Sequence, residues 1–172
     1  MGRKLLKEVA GWILLFLIAI GSAKLINEYV LLNVKVPSSS MENTIMTDDR
    51  VIGLRCAYLF SEPERGDIVV FPYPDDENVD FIKRVIGLPG ETVEGKDGLV
   101  YIDGKPLDEE YVKDAIAKDF GPYEVPKNCY FMMGDNRNDS KDSRYWDSKY
   151  VKKNTIKGKA YFKYPNFAWL DK

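Results

Sequence analysis

Histidine is the first absence: the 172-residue chain has none. That removes the Ser-His-Asp and Cys-His arrangements, and with them metal sites built on imidazole. Cysteine is scarce. Without histidine, Cys56 and Cys129 cannot complete a four-ligand zinc site of the usual kind. They can pair only if their Cα atoms lie within about 7 Å; otherwise they read as two free, buried thiols. Charge of one sign is lacking too. A net charge of −2 with no basic stripe argues against nucleic acid as a partner. Repeats and low-complexity stretches are missing. Nothing in the residue inventory calls for a cofactor or a metal.

What is present begins with an apolar run. Arg3, Lys4 and Lys7 precede the uncharged stretch from Val9 to Ala23, which Leu5 and Leu6 extend on one side and Leu25 and Ile26 on the other. A membrane span wants ~20 apolar residues, and Lys4, Lys7 and Lys24 can snorkel to the headgroups. One reading is an uncleaved anchor. Another is a cleaved secretory signal, with Gly21 and Ala23 as its small residues. A buried core helix is a third, although no polar positions mark an outward face. In both leading readings the early positive charges stay inside and the remainder lies outside the cytoplasm. The expectation is a single-pass plasma-membrane protein with a cytoplasmic N-terminus and the lipid bilayer as a partner. Residues 1–30 would be stub and anchor, and residues 31–172 an extracytoplasmic β-rich domain, long enough for a core of its own.

From Val34 onward the pattern is one of short strands and turns. Arg50 to Arg55, Asp67 to Phe71, Phe81 to Leu88, Thr92 to Glu94, Leu99 to Ile102, Tyr130 to Met133 and Ile156 to Lys163 read as strands. Lys96-Asp97-Gly98 and Asp103-Gly104 are hairpin signals. The segment from Asp108 to Lys118 predicts a short helix with Tyr111, Ala115 and Ile116 inward. The fold class is mainly β, an antiparallel-sheet domain behind one N-terminal transmembrane helix, with a hairpin-rich excursion around residues 91–128.

Three clusters carry chemistry. In Val36-Pro37-Ser38-Ser39-Ser40-Met41, Pro37 fixes the chain ahead of a run of hydroxyls. A serine there can present its oxygen outward and its N–H to a developing oxyanion, with Ser38 as a second donor; the plain alternative is a Ser-rich turn. In Asp80-Phe81-Ile82-Lys83-Arg84-Val85, strand alternation puts Phe81, Lys83 and Val85 on one face. An ammonium between two apolar groups is desolvated, which lowers its pKa as a lysine base requires; an edge-strand lysine that blocks aggregation is the rival. Arg84, on the other face, has no evident role, though its charge would push Lys83 the same way if near. The third cluster, Met132 to Arg144, is a polar loop after an apolar strand. It matches a calcium loop poorly, since Arg137 stands at a ligand position. A rigid polar scaffold fits better, with Asp142 and Arg144 paired across a turn and Ser140 near a lysine; a solvated surface loop is the plain alternative.

Together the three resemble the type I signal peptidases, bacterial enzymes that remove signal peptides from exported proteins. The boxes stand as PSSSM, as RGDIVVF followed by FIKRVIGLPGE, and as MGDNRNDSKDSRYW, in order from about Val34 to Trp146. The resemblance implies a serine endopeptidase acting on exported preproteins by a Ser-Lys dyad, without cofactor. Ser40 is the implied nucleophile and Lys83 the general base. Ser38 and the Ser40 N–H are the implied oxyanion donors. Ser140 would orient the Lys83 amine, and Asp142 with Arg144 would brace its loop. Val34, Val36, Met41, Ile45, Val70, Phe81 and Ile82 would line pockets for small substrate residues. One departure is Asn43, where many members carry proline. The rivals are a self-cleaving Ser-Lys protease of the LexA-like kind, against which the apolar N-terminus speaks, and a membrane-tethered β-domain that binds peptides without cutting them.

If the apolar segment is an anchor, Edman degradation of the mature protein should read from the first residues of the chain. A mature protein that starts at Lys24 would make the segment a cleaved signal.

Overall fold

The computed structural model describes residues 2–170. Met1, Asp171 and Lys172, at the outer ends of the expected anchor and domain, lie outside the described residues, as do the side chains of Arg3, Leu5 and Leu6. Helix α1, Gly2–Leu25, has 24 residues, which makes it about 36 Å long. A wider π-type turn, Ile26–Val30, follows it. The stretch Lys7–Val30 is long and apolar enough to cross a membrane, and none of it is buried inside the protein. That rules out the core-helix reading: Trp12, Phe16 and their neighbours have no protein surface to pack on.

The chain then runs straight into antiparallel sheet. The strands are β1 Leu31–Lys35, β2 Arg50–Leu54, β3 Ile68–Tyr73, β4 Asp76–Gly87, β5 Thr92–Lys96, β6 Leu99–Ile102, β7 Lys105–Pro106, β8 Phe120–Glu124, β9 Cys129–Met133, β10 Val151–Lys152, β11 Gly158–Tyr164 and β12 Ala168–Trp169. An eight-stranded sheet is ordered β1-β2-β11-β3-β4-β9-β10, with β12 on β11. A four-stranded sheet is ordered β7-β6-β5-β8 and forms the compact excursion expected around residues 91–128. Its hairpin turns are as the sequence signals them. Asp97-Gly98 and Asp103-Gly104 all have positive φ, the geometry of a two-residue type I′ turn.

Alternation along β4 sorts the core. Phe81 and Val85 pack with Val69, Phe71 and Trp146. Ile82 packs with Met41, Ile45 and Val70, and Ile86 with Val93, Phe131 and Met133. Lys83 lies on β4 between β3 and β9. Lys83 therefore lies on an inner strand of the sheet, while β1, which follows α1 and its π-type turn, is an edge strand.

One local expectation is corrected. Residues 108–118 form no helix. Their backbone groups bond outward instead, Lys113 N to Asp135 O, Ile116 N to Gly98 O and Ala117 N to Asn138 Oδ1. Ile116 is buried as expected, but Ala115 is exposed. β8 is a strand despite its Gly121-Pro122 pair, because it is an edge strand where a missing N–H is tolerated.

β2 and β11 approach closely at Gly53, where a Cβ would fall inside contact distance of the Lys159 carbonyl. Gly53→Ala should force them apart and destabilise the domain by about 1–3 kcal/mol. A thermal midpoint equal to that of the wild type would contradict this close approach.

Candidate active site

The Ser-rich turn is built between β1 and β2. Val36 N donates to Asp49 O at 2.9 Å and Asp48 N to Val36 O at 2.8 Å, closing the loop at its neck. Pro37 precedes a single 3-10 turn, Ser39–Met41, and Met41 and Ile45 anchor that turn in the core. Asn43 sits at φ +87°, where proline, locked near −65°, cannot stand. Proline could not replace Asn43 without a change in this backbone. Its rigidity comes from a side chain: Asn43 Nδ2 donates to Tyr111 O at 3.0 Å.

Ser40 Oγ lies 2.5 Å from Lys83 Nζ and 3.2 Å from Ser38 Oγ. Ser40 is only 6% exposed and Lys83 3%. Lys83 Nζ also donates to the Ile82 carbonyl at 3.1 Å and lies 5.2 Å from the centre of the Phe81 ring. Burial pushes this amine down from 10.5 to about 8; the Asp142 and Asp135 carboxylates pull it back up and the Arg144 charge pushes it further down. The expected desolvation is present, with the Phe81 ring beside the amine, but the acting guanidinium is Arg144's. Arg84 is neutralised on the far face by Asp135, with paired contacts of 2.8 and 2.6 Å.

The loop after β9 holds the turn from below. Asn136 N donates to Ser40 O and Asn136 Nδ2 to Ser39 O, both at 3.2 Å. Ser39 Oγ donates to Asp139 Oδ2 at 2.5 Å. Asp142 and Arg144 form a two-point ion pair at 2.7 and 2.8 Å. Asp142 also takes Gly134 N at 3.1 Å, and Arg144 reaches Arg137 O at 2.6 Å. Gly134 leaves the space in which Ser40 O and Ser140 sit; a Cβ there would collide with both. Ser140 Oγ is buried and without a hydrogen-bond partner. The expected contact from Ser140 to Lys83 is therefore absent: the amine's bonds go to Ser40 and Ile82.

A cleft of about 500 Å³ opens over Ser40 and Lys83. Of the residues expected to line it, Val34, Val36, Val70, Phe81 and Ile82 do so. Met41 and Ile45 do not: both are fully buried and form the core behind that wall. Lys35, Val79, Asp80, Asp139 and Lys141 line it unforeseen. The supports that sequence reasoning missed are Arg84–Asp135, Thr44 Oγ1 donating to Asp135 at 2.5 Å and the buried Arg137–Glu109 pair at 2.5 Å. Their partners are far apart in the chain, so no local pattern points to them. Cys56 and Cys129 are unpaired.

Below pH 8 the native state holds an ammonium that the unfolded chain, with its ordinary lysine pKa, solvates better. This destabilisation is full below the folded pKa of about 8, shrinks as pH rises, and is gone above about 10.5. Lys83→Met should therefore be more stable than the wild type at pH 7, on the order of 2 kcal/mol after the lost hydrogen bonds. The gain should fade by pH 10. Urea unfolding at the two pH values checks this, and a variant less stable at pH 7 would contradict it.

Residues 9–165 match the family described as signal peptidase, peptidase S26. Signal peptidase I of Leptolyngbya laminosa is 44% identical over 133 residues, 73% of this chain and 64% of that protein; the chain thus spans less than two thirds of that relative's length. Signal peptidase I S of Bacillus subtilis is 36% identical over 170 residues, 92% of this chain and 91% of the relative. A crystal structure of a signal peptidase I from Enterococcus faecalis superposes with a TM-score of 0.51 at 37% identity, covering 58% of this chain and 97% of that one. A match that begins in the apolar helix and runs through all three sequence boxes leaves one assignment: the chain belongs to the signal peptidase S26 family.

Proposed function

We propose that the chain is a membrane-anchored serine endopeptidase that removes N-terminal signal peptides from exported preproteins, cutting after small residues. The observation that carries this reading is the buried contact of 2.5 Å between Ser40 Oγ and Lys83 Nζ, with the amine depressed to about 8. At pH 7 an unperturbed lysine is about 0.04% neutral, whereas at a pKa of 8 roughly a tenth is. In the attack, Ser40 Oγ bonds to the scissile carbonyl carbon while its proton passes to the neutral Lys83 amine. Ser38 O–H and the Ser40 N–H hold the oxyanion. The Lys83 ammonium protonates the leaving amine, then the neutral amine activates water for deacylation. Ser140, whose buried hydroxyl has no partner, gives the amine no bond, and Lys83 is held by Ser40 and the Ile82 carbonyl. Asp142 and Arg144 keep the loop beneath the serine turn in place.

The cleft wall of Val34, Val36, Val70, Phe81 and Ile82, backed by the tightly packed Met41 and Ile45, leaves room for small apolar side chains. The outer edge of β1 offers main-chain groups to an extended peptide. Helix α1 is proposed as a single span with a cytoplasmic N-terminus, the side on which Lys4 and Lys7 stand. The chain then divides at residue 30, with residues 31–172 on the outer face beside the cleavage sites of signal peptides held in the bilayer.

The test is preprotein cleavage in detergent. Wild type should cut after alanine and not after Arg, Lys or Phe, and Ser40→Ala should not cut. The rate should rise with pH through a limb near 8, because the base must lose its proton, and show no limb near 6.5 in a chain without histidine. Lys83→Arg should be inactive although it keeps the charge. Substantial cleavage by either variant would overturn the assignment.

A further inference from the structure

Away from the catalytic cleft, a second cleft opens where the chain leaves α1. Arg55, just after β2, is tied to that exit: its N donates to Val30 O at 2.8 Å and its Nε to Leu31 O at 3.1 Å. The two acceptors are the last residue of the π-type turn and the first of β1. Arg55 heads a cleft of about 570 Å³ whose other lining includes Tyr58, Leu59, Lys127, Lys152 and Lys153. Its cations come from separate parts of the chain. Pairing of Lys152 with Cys129 sets β10 beside the turn that carries Lys127, and Lys153 N donates to Asn128 O at 2.9 Å.

Four cations meet there against one carboxylate. Lys153 pairs with Glu62; Arg55, Lys127 and Lys152 have no carboxylate partner among the described residues. Asp67, beneath Tyr58, is engaged by Lys159 at 2.7 Å and by the Tyr58 hydroxyl at 2.9 Å. Like charges gathered in one concavity repel unless an anion is shared between them. Beside the cations, Leu59 is 70% exposed and Phe60 fully exposed. Nothing in the catalytic reading uses this cleft.

We propose that the cleft binds the phosphate of an anionic phospholipid headgroup, with Leu59 and Phe60 entering the acyl region beside it. The proposal rests on the reading of α1 as an anchor, which puts the Val30–Leu31 junction at the bilayer surface. Charge complementarity selects an anion, and the unpacked apolar tip next to it selects lipid over an acidic protein segment. The second attachment adds to the α1–β1 junction a contact that fixes the tilt of the domain over the membrane.

The full chain in maltoside micelles is titrated with short-chain phosphatidylglycerol, short-chain phosphatidylcholine, inorganic phosphate and an acidic peptide. Native mass spectrometry reads bound lipid, and the thermal midpoint reads all four. One phosphatidylglycerol should bind about tenfold more tightly than phosphatidylcholine, and Arg55→Ala, Lys127→Ala and Lys152→Ala should each weaken it about fivefold. Phe60→Ser should weaken the lipid but leave phosphate unchanged. Peptide cleavage in the same micelles should be unaffected by all four substitutions, which also verifies that they fold; Lys127→Gln and Lys152→Gln serve if an alanine variant does not. Equal binding of the two lipids, or undiminished binding by the triple variant, would overturn the proposal. So would phosphate as tight as phosphatidylglycerol, or an acidic peptide that displaces it. Lipid binding with no preprotein cleavage by wild type would sink the catalytic reading alone, and a mature chain starting at Lys24 would remove the anchor.

Discussion

The site depends on a lysine amine kept out of water against a serine hydroxyl. A side chain that prefers to be charged and hydrated is 3% exposed, with a hydroxyl, a carbonyl and an aromatic ring as its nearest company. Such a group holds its position only if its surroundings cannot relax around it. Three features supply that stiffness. Lys83 lies on an inner strand, paired on both sides. The serine turn is pinned by Asn136 and Asp139. The loop below is held by the Asp142–Arg144 and Arg84–Asp135 pairs.

These pairs divide the electrostatic work. Asp142 and Asp135 both favour the charged form of Lys83, and Arg144 opposes it. Because each carboxylate is occupied by its own guanidinium, neither is free to form an ion pair with Lys83 and hold it protonated. A carboxylate near a lysine normally stabilises the ammonium; here arginine absorbs that attraction. This accounts for a loop dense in charge beside an amine whose own charge is disfavoured. Removing one member of such a buried pair costs more than the pair contributes, since its partner is left charged and unsolvated.

Much of this was legible in the chain. The alternation of Phe81, Lys83 and Val85, the two Asp-Gly hairpins and the apolar helix follow from local periodicity and turn chemistry, and the structure has them. What was not legible is long-range. Nothing near Arg84 in the sequence announces Asp135, and nothing near Arg137 announces Glu109. The expected helix at 108–118 fails for the same reason: its backbone bonds go to the 134–138 loop and to Gly98, which no local pattern reveals. Met41 and Ile45 lie one layer behind the wall of the cleft, and an apolar residue beside a cleft and one behind its wall look alike in sequence. The bond from Ser140 to Lys83 that the resemblance implies is unmade, the Ser140 hydroxyl being buried and unpartnered.

β1 is a spacer of fixed length. It is five residues long, about 17 Å of extended chain, and it runs from the Ile26–Val30 turn to the wall of the cleft over Ser40 and Lys83. On the anchored reading it is a ruler. The cleft is held at one height above the bilayer, and a signal peptide whose apolar segment stays in the membrane must reach the same height in extended form. The selection of a cleavage site then has two coordinates, small side chains that fit the wall and a distance from the membrane set by a single strand.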